Sequence, residues 1–194
     1  MTSLFTLRLS AALAGAAASL AMTPVQAQAP SAGTFANTPA VYLQGQWARH
    51  GTSAATVGLM LPWDGWSMAL WGGQLRGLWD VYYSRWSFDR GPGGNDSLNL
   101  LGVTPTLRWY SNQGRSSWFV QAGIGLTYAD HRYYTPAREF STRFNFADHI
   151  GVGIHLGAQR RHELQLRIEH LSNAGIKHPN PGENFIQVRY ALHY

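Results

Sequence analysis

The sequence predicts an all-β fold: one eight-stranded antiparallel transmembrane β-barrel of the Gram-negative outer membrane. Three observations carry that expectation. The chain opens on what reads as an export leader. No later stretch holds the eighteen or so consecutive apolar residues of a membrane-crossing helix. The rest breaks into segments of about ten residues whose apolar and polar positions alternate, and the full chain holds eight Trp, nine Tyr, eight Phe and 21 Gly. A closed barrel is the other way to cross a bilayer with every backbone group bonded.

Residues 1–27 have the pattern of a cleaved signal peptide. Arg8 supplies a weakly basic start, residues 9–22 are apolar and Ala-rich, and Val25-Gln26-Ala27 is a small-residue cleavage site. Residues 28–194 then form a single domain, of which 28–39, rich in Ala, Pro, Ser and Thr, is a loose lead-in. Cysteine is absent, which excludes disulfide staples, a thiol nucleophile and thiolate metal sites. Fifteen Lys and Arg against ten Asp and Glu leave a modest basic excess. That suits anionic lipid; without a basic cluster, it argues against nucleic acid.

The first strand falls at residues 40–50 and the second at 53–61, joined across Gly51. Residues 62–71 read as a turn region carrying Trp63, Trp66 and Trp71, as an interfacial aromatic girdle would. The third strand, 74–88, alternates poorly; Arg76 and Asp80 are expected to pair inside the barrel. After the polar loop 89–96, the fourth strand spans 97–110 with an awkward Pro105, which has no N–H for a ladder. The fifth, 118–129, alternates cleanly. A loop at 130–141 leads to the sixth strand, 142–157, with Ile150, Val152, Ile154 and Leu156 on one face.

The seventh strand runs from Glu163. Leu164, Leu166 and Ile168 face one way; Glu163, Gln165, Arg167 and Glu169 face the other. The loop 173–182 follows, and the eighth strand, 184–194, places Ile186, Val188, Tyr190, Leu192 and Tyr194 on one face. With both termini periplasmic, the odd strands run outward and the loops after the third, fifth and seventh are external. These are the long polar ones, whereas periplasmic turns are short. The 62–71 connection is longer than this arrangement wants.

Extending the apolar parity of the seventh strand leads to His170 and then Ser172. A base and a potential nucleophile therefore terminate the lipid-facing row, at the outer end of an outward strand. A serine hydroxyl needs a base within hydrogen-bond reach, and the base needs a group to orient it. Polar side chains on a lipid face cost energy unless they have a role. Asn173, Gly175, Asn180 and Gly182 crowd the next loop, where Gly and Asn suit the tight backbone of an oxyanion site. The remaining histidines, His50, His131, His149, His155, His162, His178 and His193, are scattered without metal-ligand spacing.

The segment H-L-S-N-A-G-I-K-H-P-N-P-G-E-N, residues 170–184, resembles the active-site segment of the lipid A 3-O-deacylases, the PagL-type outer-membrane enzymes. The likeness extends through L-R-G-L-W-D at 75–80, F-V-Q-A-G-I-G at 119–125 and F-N-F-A-D-H-I-G-V-G at 144–153. It implies an eight-stranded barrel that removes the 3-position acyl chain of lipid A without a metal or other cofactor. It implies Ser172 as nucleophile, His170 as base, and Asn173, Gly175 and Asn180 around the oxyanion. Lipid A or lipopolysaccharide would be the substrate, with a homodimer as one arrangement of the barrel.

The third member of the site divides two arguments. The family's acidic position falls on Asn184, and strand parity also puts Asn184 on the face of His170 and Ser172. Chemistry prefers a carboxylate, and the nearest is Glu183, which a bulge after Pro181-Gly182 could re-aim. Glu183 is the expected partner and Asn184 the alternative. Two competing functions stay open: an outer-membrane phospholipase or acyltransferase, and a catalytically silent barrel used for adhesion or membrane structure.

Overall fold

The computed structural model describes residues 37–194. The signal peptide expected at 1–27 and most of the lead-in after it lie outside the described residues. Eight long strands close a barrel: β1 (Ala40–Ala48), β2 (Ser53–Leu70), β3 (Gly73–Asp89), β4 (Asn95–Tyr110), β5 (Trp118–Ala129), β8 (Phe144–Leu156), β9 (His162–Ser172) and β10 (Glu183–His193). Each pairs antiparallel with its chain neighbour, and β1 pairs with β10 to close the ring. Between β5 and β8, the loop folds back on itself as a hairpin of two-residue strands, β6 (Tyr134–Thr135) and β7 (Arg138–Glu139).

Alternation sets which way each side chain points. On β9, Glu163, Gln165, Arg167, Glu169 and Leu171 are buried in the lumen. Leu164, Leu166 and Ile168 are exposed on the outer wall, as the lipid face of a transmembrane barrel requires. The sixth and eighth expected strands, here β8 and β10, keep the same rule.

Two expectations are corrected. Residues 62–71 are not a turn: β2 continues to Leu70, with a register break between Pro62 and Ser67, and the turn is only Trp71-Gly72. The periplasmic connection is therefore short after all. The bulge accommodates an aromatic cluster, with Trp63 5.3 Å from Trp66 and 5.8 Å from Trp79 between ring centroids. Trp63 lies flat over Gly77, where a Cβ would come within 1.9 Å of the ring. Arg76 also does not pair with Asp80. Its guanidinium bonds Gln74 Oε1 and stands over the Tyr110 ring. Pro105 sits within β4, and the β4–β5 ladder skips Thr104 and Pro105 without changing register.

The lumen is filled in layers. At mid-barrel Asp80 accepts from Arg189 at 2.8 Å, Arg167 at 3.1 Å and the Tyr42 hydroxyl at 2.6 Å, while Arg167 also reaches Glu169 at 3.3 Å. Two guanidinium groups thus meet two carboxylates, which offsets the cost of burying them. Above this layer Trp86, Phe88, Tyr133, Phe140 and Phe185 pack edge to face and close the outer mouth. At the periplasmic end Arg108 forks onto Glu163 at 2.9 and 3.0 Å.

Candidate active site on the outer wall

His170 and Ser172 end β9 at the outer rim. The register places His170 between Asp148 of β8 and Asn184 of β10, and Ser172 beside Phe146. All of these lie on the lipid-side parity. Directly below is an apolar rung, Ile150–Ile168–Ile186, exposed at 64%, 57% and 57%. Val152–Leu166–Val188 follows it. His170 and Ser172 therefore cap a vertical apolar track on the outside of the barrel.

The His170 ring is held from the β10 side. Its Nδ1 donates to Asn184 Oδ1 at 2.8 Å. An amide oxygen only accepts, so Nδ1 is the donor in this contact, and Nε2 of the neutral ring is the nitrogen able to take a proton. Gly182, at φ +65°, makes room for that ring: a Cβ there would come 2.5 Å from Cε1 and 3.1 Å from Nε2. Ser172 Oγ accepts from the Ala174 N–H at 3.4 Å and makes no hydrogen bond to His170. Such bonds are commonly loose before substrate arrives.

Glu183 does not reach His170. β10 pairs with β9 from Glu183↔Leu171 onward without a bulge, so parity holds to the first residue of the strand. Its carboxylate turns into the lumen, where it accepts from the Tyr133 hydroxyl and from the Asn184 N–H, each at 3.1 Å. The geometry gives the orienting contact to Asn184.

The loop after β9 is tied together by Asn173, which is buried. Its amide nitrogen donates to Ser141 Oγ at 2.9 Å and Lys177 O at 2.7 Å, and its Oδ1 accepts from the Gly175 N–H at 3.0 Å. Its own N–H donates to Asn180 Oδ1 at 3.0 Å. Asn173 and the Gly175 N–H are thus spent inside the loop. The Ala174 N–H, directed at Ser172 Oγ, is the loop donor beside the serine.

A second outer loop braces the first. Arg138 Nη1 donates to the carbonyls of Pro181 at 2.8 Å and Gly182 at 3.2 Å. Ser141 Oγ donates to Lys177 O at 2.8 Å. Tyr133, in the same loop, links Thr52 Oγ1 to Glu183. Burial and, beyond it, the Glu183 carboxylate push the Tyr133 hydroxyl up to about 12, which keeps it a donor. Neither Arg138 nor Tyr133 carries a sequence signal of its own, because their partners are distant in the chain. Asp148 does: continuing the Ile150–Leu156 parity outward puts a carboxylate on the lipid face beside His170.

Three histidine and acid groups that look scattered in sequence do converge. His193 Nε2 lies 2.9 Å and His155 Nε2 3.5 Å from Glu163 Oε2, all buried at the periplasmic end. Arg108 occupies both Glu163 oxygens, so the carboxylate already has its positive partner.

Fold and site together define a transmembrane β-barrel with a Ser–His pair on its lipid-facing wall. A profile of the family described as lipid A 3-O-deacylase (PagL) matches residues 40–193. A lipid A deacylase PagL of Pseudomonas aeruginosa is 32% identical over 146 residues, 73% of this chain and 80% of that protein. A lipid A deacylase PagL of Bordetella bronchiseptica is 33% identical over 134 residues, 64% of this chain and 70% of that one. The crystal structure of the outer membrane enzyme PagL superposes with a TM-score of 0.66 at 25% identity, covering 80% of this chain and 99% of that one. The chain belongs to the lipid A 3-O-deacylase (PagL) family.

Proposed function

We propose that this chain is an outer-membrane serine esterase that hydrolyses the 3-position acyl ester of lipid A in the outer leaflet. One observation supports the reading above all. The base His170, its Nδ1 fixed by Asn184, shares the outer end of a lipid-facing row with Ser172. The acyl chain of a lipid in the outer leaflet lies along the rungs Ile150–Ile168–Ile186 and Val152–Leu166–Val188, which brings its ester to the Ser172 level.

The chemistry proceeds in two displacements. Ser172 Oγ attacks the ester carbonyl carbon as His170 Nε2 takes the hydroxyl proton. The carbonyl oxygen becomes an oxyanion beside the Ala174 N–H, with Asn180 bracing the loop behind it through the Asn173 N–H. Collapse breaks the acyl C–O bond, and His170 returns its proton to the departing sugar oxygen. Water then attacks the acyl-enzyme with His170 again as base, releasing the fatty acid and restoring Ser172. On this reading residues 1–27 direct export, and Asn184 replaces Glu183 as the group that orients the ring.

Mass spectrometry of lipid A from cells expressing the wild type and Ser172→Ala tests the proposal. The wild type should remove the 3-position chain and the variant should not. Lysophospholipid with unchanged lipid A would make the enzyme a phospholipase.

A further inference from the structure

Asn184 leaves the site with an unmet electrostatic need. When His170 takes the Ser172 proton it becomes an imidazolium, and a neutral amide can orient that ring without balancing its charge. In a Ser–His–Asp triad the carboxylate both holds the ring's orientation and stabilises the imidazolium. The β10 side cannot supply a carboxylate: Asn184 is followed on the lipid face by Ile186, and Glu183 is bonded inside the lumen.

The β8 side can. Asp148 is the direct cross-strand partner of His170, as Asn184 is from the opposite flank. Directly opposed residues of antiparallel strands hold their Cβ atoms about 5 Å apart. Asp148 is exposed on the outer wall and makes no hydrogen bond or ion pair among the described residues. Its row continues as Ile150, Val152, Ile154 and Leu156. An unpaired carboxylate on a lipid-facing row is costly, and membrane proteins keep such groups where they serve a function.

We propose that Asp148 is the charge-compensating residue of this site: placed across β8 from His170, opposite Asn184, it stabilises the imidazolium while Asn184 sets the ring's orientation. This rests on the esterase reading above. The division of labour puts orientation on one neighbouring strand and charge on the other. The other charged and titratable groups around His170 do not duplicate it. Arg138 reaches the Gly182 carbonyl. Lys177 and His178 lie in the following loop, and Glu169 and Glu183 face the lumen on the other side of the sheet.

The test is Asp148→Asn, which keeps size and shape, in the purified full-length barrel. Histidine NMR reads the effect without substrate, with the His170 signal assigned by its loss in His170→Gln. The His170 titration midpoint should fall by about one unit, the effect of removing one nearby opposite charge. In lipid A turnover, kcat should fall by about tenfold or more with KM little changed. The acid limb of the pH–rate profile should move to lower pH by the same amount. Asn184→Asp added to Asp148→Asn should restore part of kcat. An unmoved titration midpoint overturns the inference whatever the activity does, as does a rate loss with an unmoved acid limb, which marks a merely structural role. A shifted midpoint in a protein that leaves lipid A intact would keep the inference and refute the lipid A reading instead.

Discussion

His170 Nδ1 lies 2.8 Å from Asn184 Oδ1, across paired positions of β9 and β10. Of two adjacent residues, Asn184 points outward with His170, and Glu183 points inward to Tyr133. Asn184→Ala should therefore lower kcat at least tenfold, about 1.4 kcal/mol of transition-state stabilisation. Glu183→Ala should lower kcat less and should instead loosen the outer mouth of the barrel. Steady-state kinetics on lipid A with both variants checks this. The reverse order would return the orienting role to Glu183.

Gly182→Ala should inactivate the enzyme without preventing assembly. The new methyl would meet the His170 ring at 2.5 Å, in a backbone conformation with φ +65° that disfavours any Cβ. The ring must move away from Asn184 or the loop must shift. A well-assembled, heat-modifiable variant with wild-type turnover would show that His170 does not work in this position.

Arg138→Ala should act at a distance. It removes the bonds to the Pro181 and Gly182 carbonyls and frees the loop that seats His170. Turnover should fall severalfold, while Arg138→Lys, which keeps one donor, should recover part of it. Equal losses in both variants, or none, would disconnect the 130–143 loop from catalysis.

The two walls of β9 should respond to opposite chemistry. Leu166→Arg puts a charge on the lipid face, at a cost of ~2–4 kcal/mol near the bilayer midplane. Arg167→Leu leaves Glu169 without its ion pair and Asp80 with only Arg189, a break of a buried pair worth ~3–5 kcal/mol. Both should lower the temperature of the heat-modifiability transition. Leu166→Met and Arg167→Lys should each be milder than their harsh counterparts. A tolerated Leu166→Arg would mean the register is off by one.

Tyr133 gives the outer mouth an alkaline limit. Its hydroxyl ionises near 12 in the fold, against about 10 for a free phenol. The folded state thus holds the proton more tightly than the unfolded chain. Its contribution to stability is full below about 10 and is lost as pH rises towards 12. The difference in phenolate absorbance between the wild type and Tyr133→Phe should show this hydroxyl titrating above the ordinary range.

Much of this was legible in the sequence, for physical reasons. The clean alternation of β5, β8 and β9 marks a wall with lipid on one side and packed polar groups on the other. β3 reads poorly because its lumen row mixes Tyr82 and Trp86 with Asp80, so hydropathy does not separate its faces. The end of β2 is hidden by the bulge between Pro62 and Ser67, which breaks the two-residue period. At the site, parity identified Asn184, and the preference for a carboxylate pointed to Glu183. Asp148 was readable by that same parity. Arg138 and Tyr133 were not, since Pro181 and Glu183, which they reach at the site, lie 43 and 50 residues away along the chain.

The most direct measurement is lipid A turnover by the purified, detergent-solubilised barrel, wild type beside Ser172→Ala, followed by mass spectrometry of both products. The account predicts that the wild type releases the 3-position fatty acid and leaves lipid A lighter by that chain, while Ser172→Ala, equally folded, leaves it whole. Deacylation at the same rate by Ser172→Ala would contradict the assignment of Ser172, and release from another position would contradict the assignment of the substrate ester.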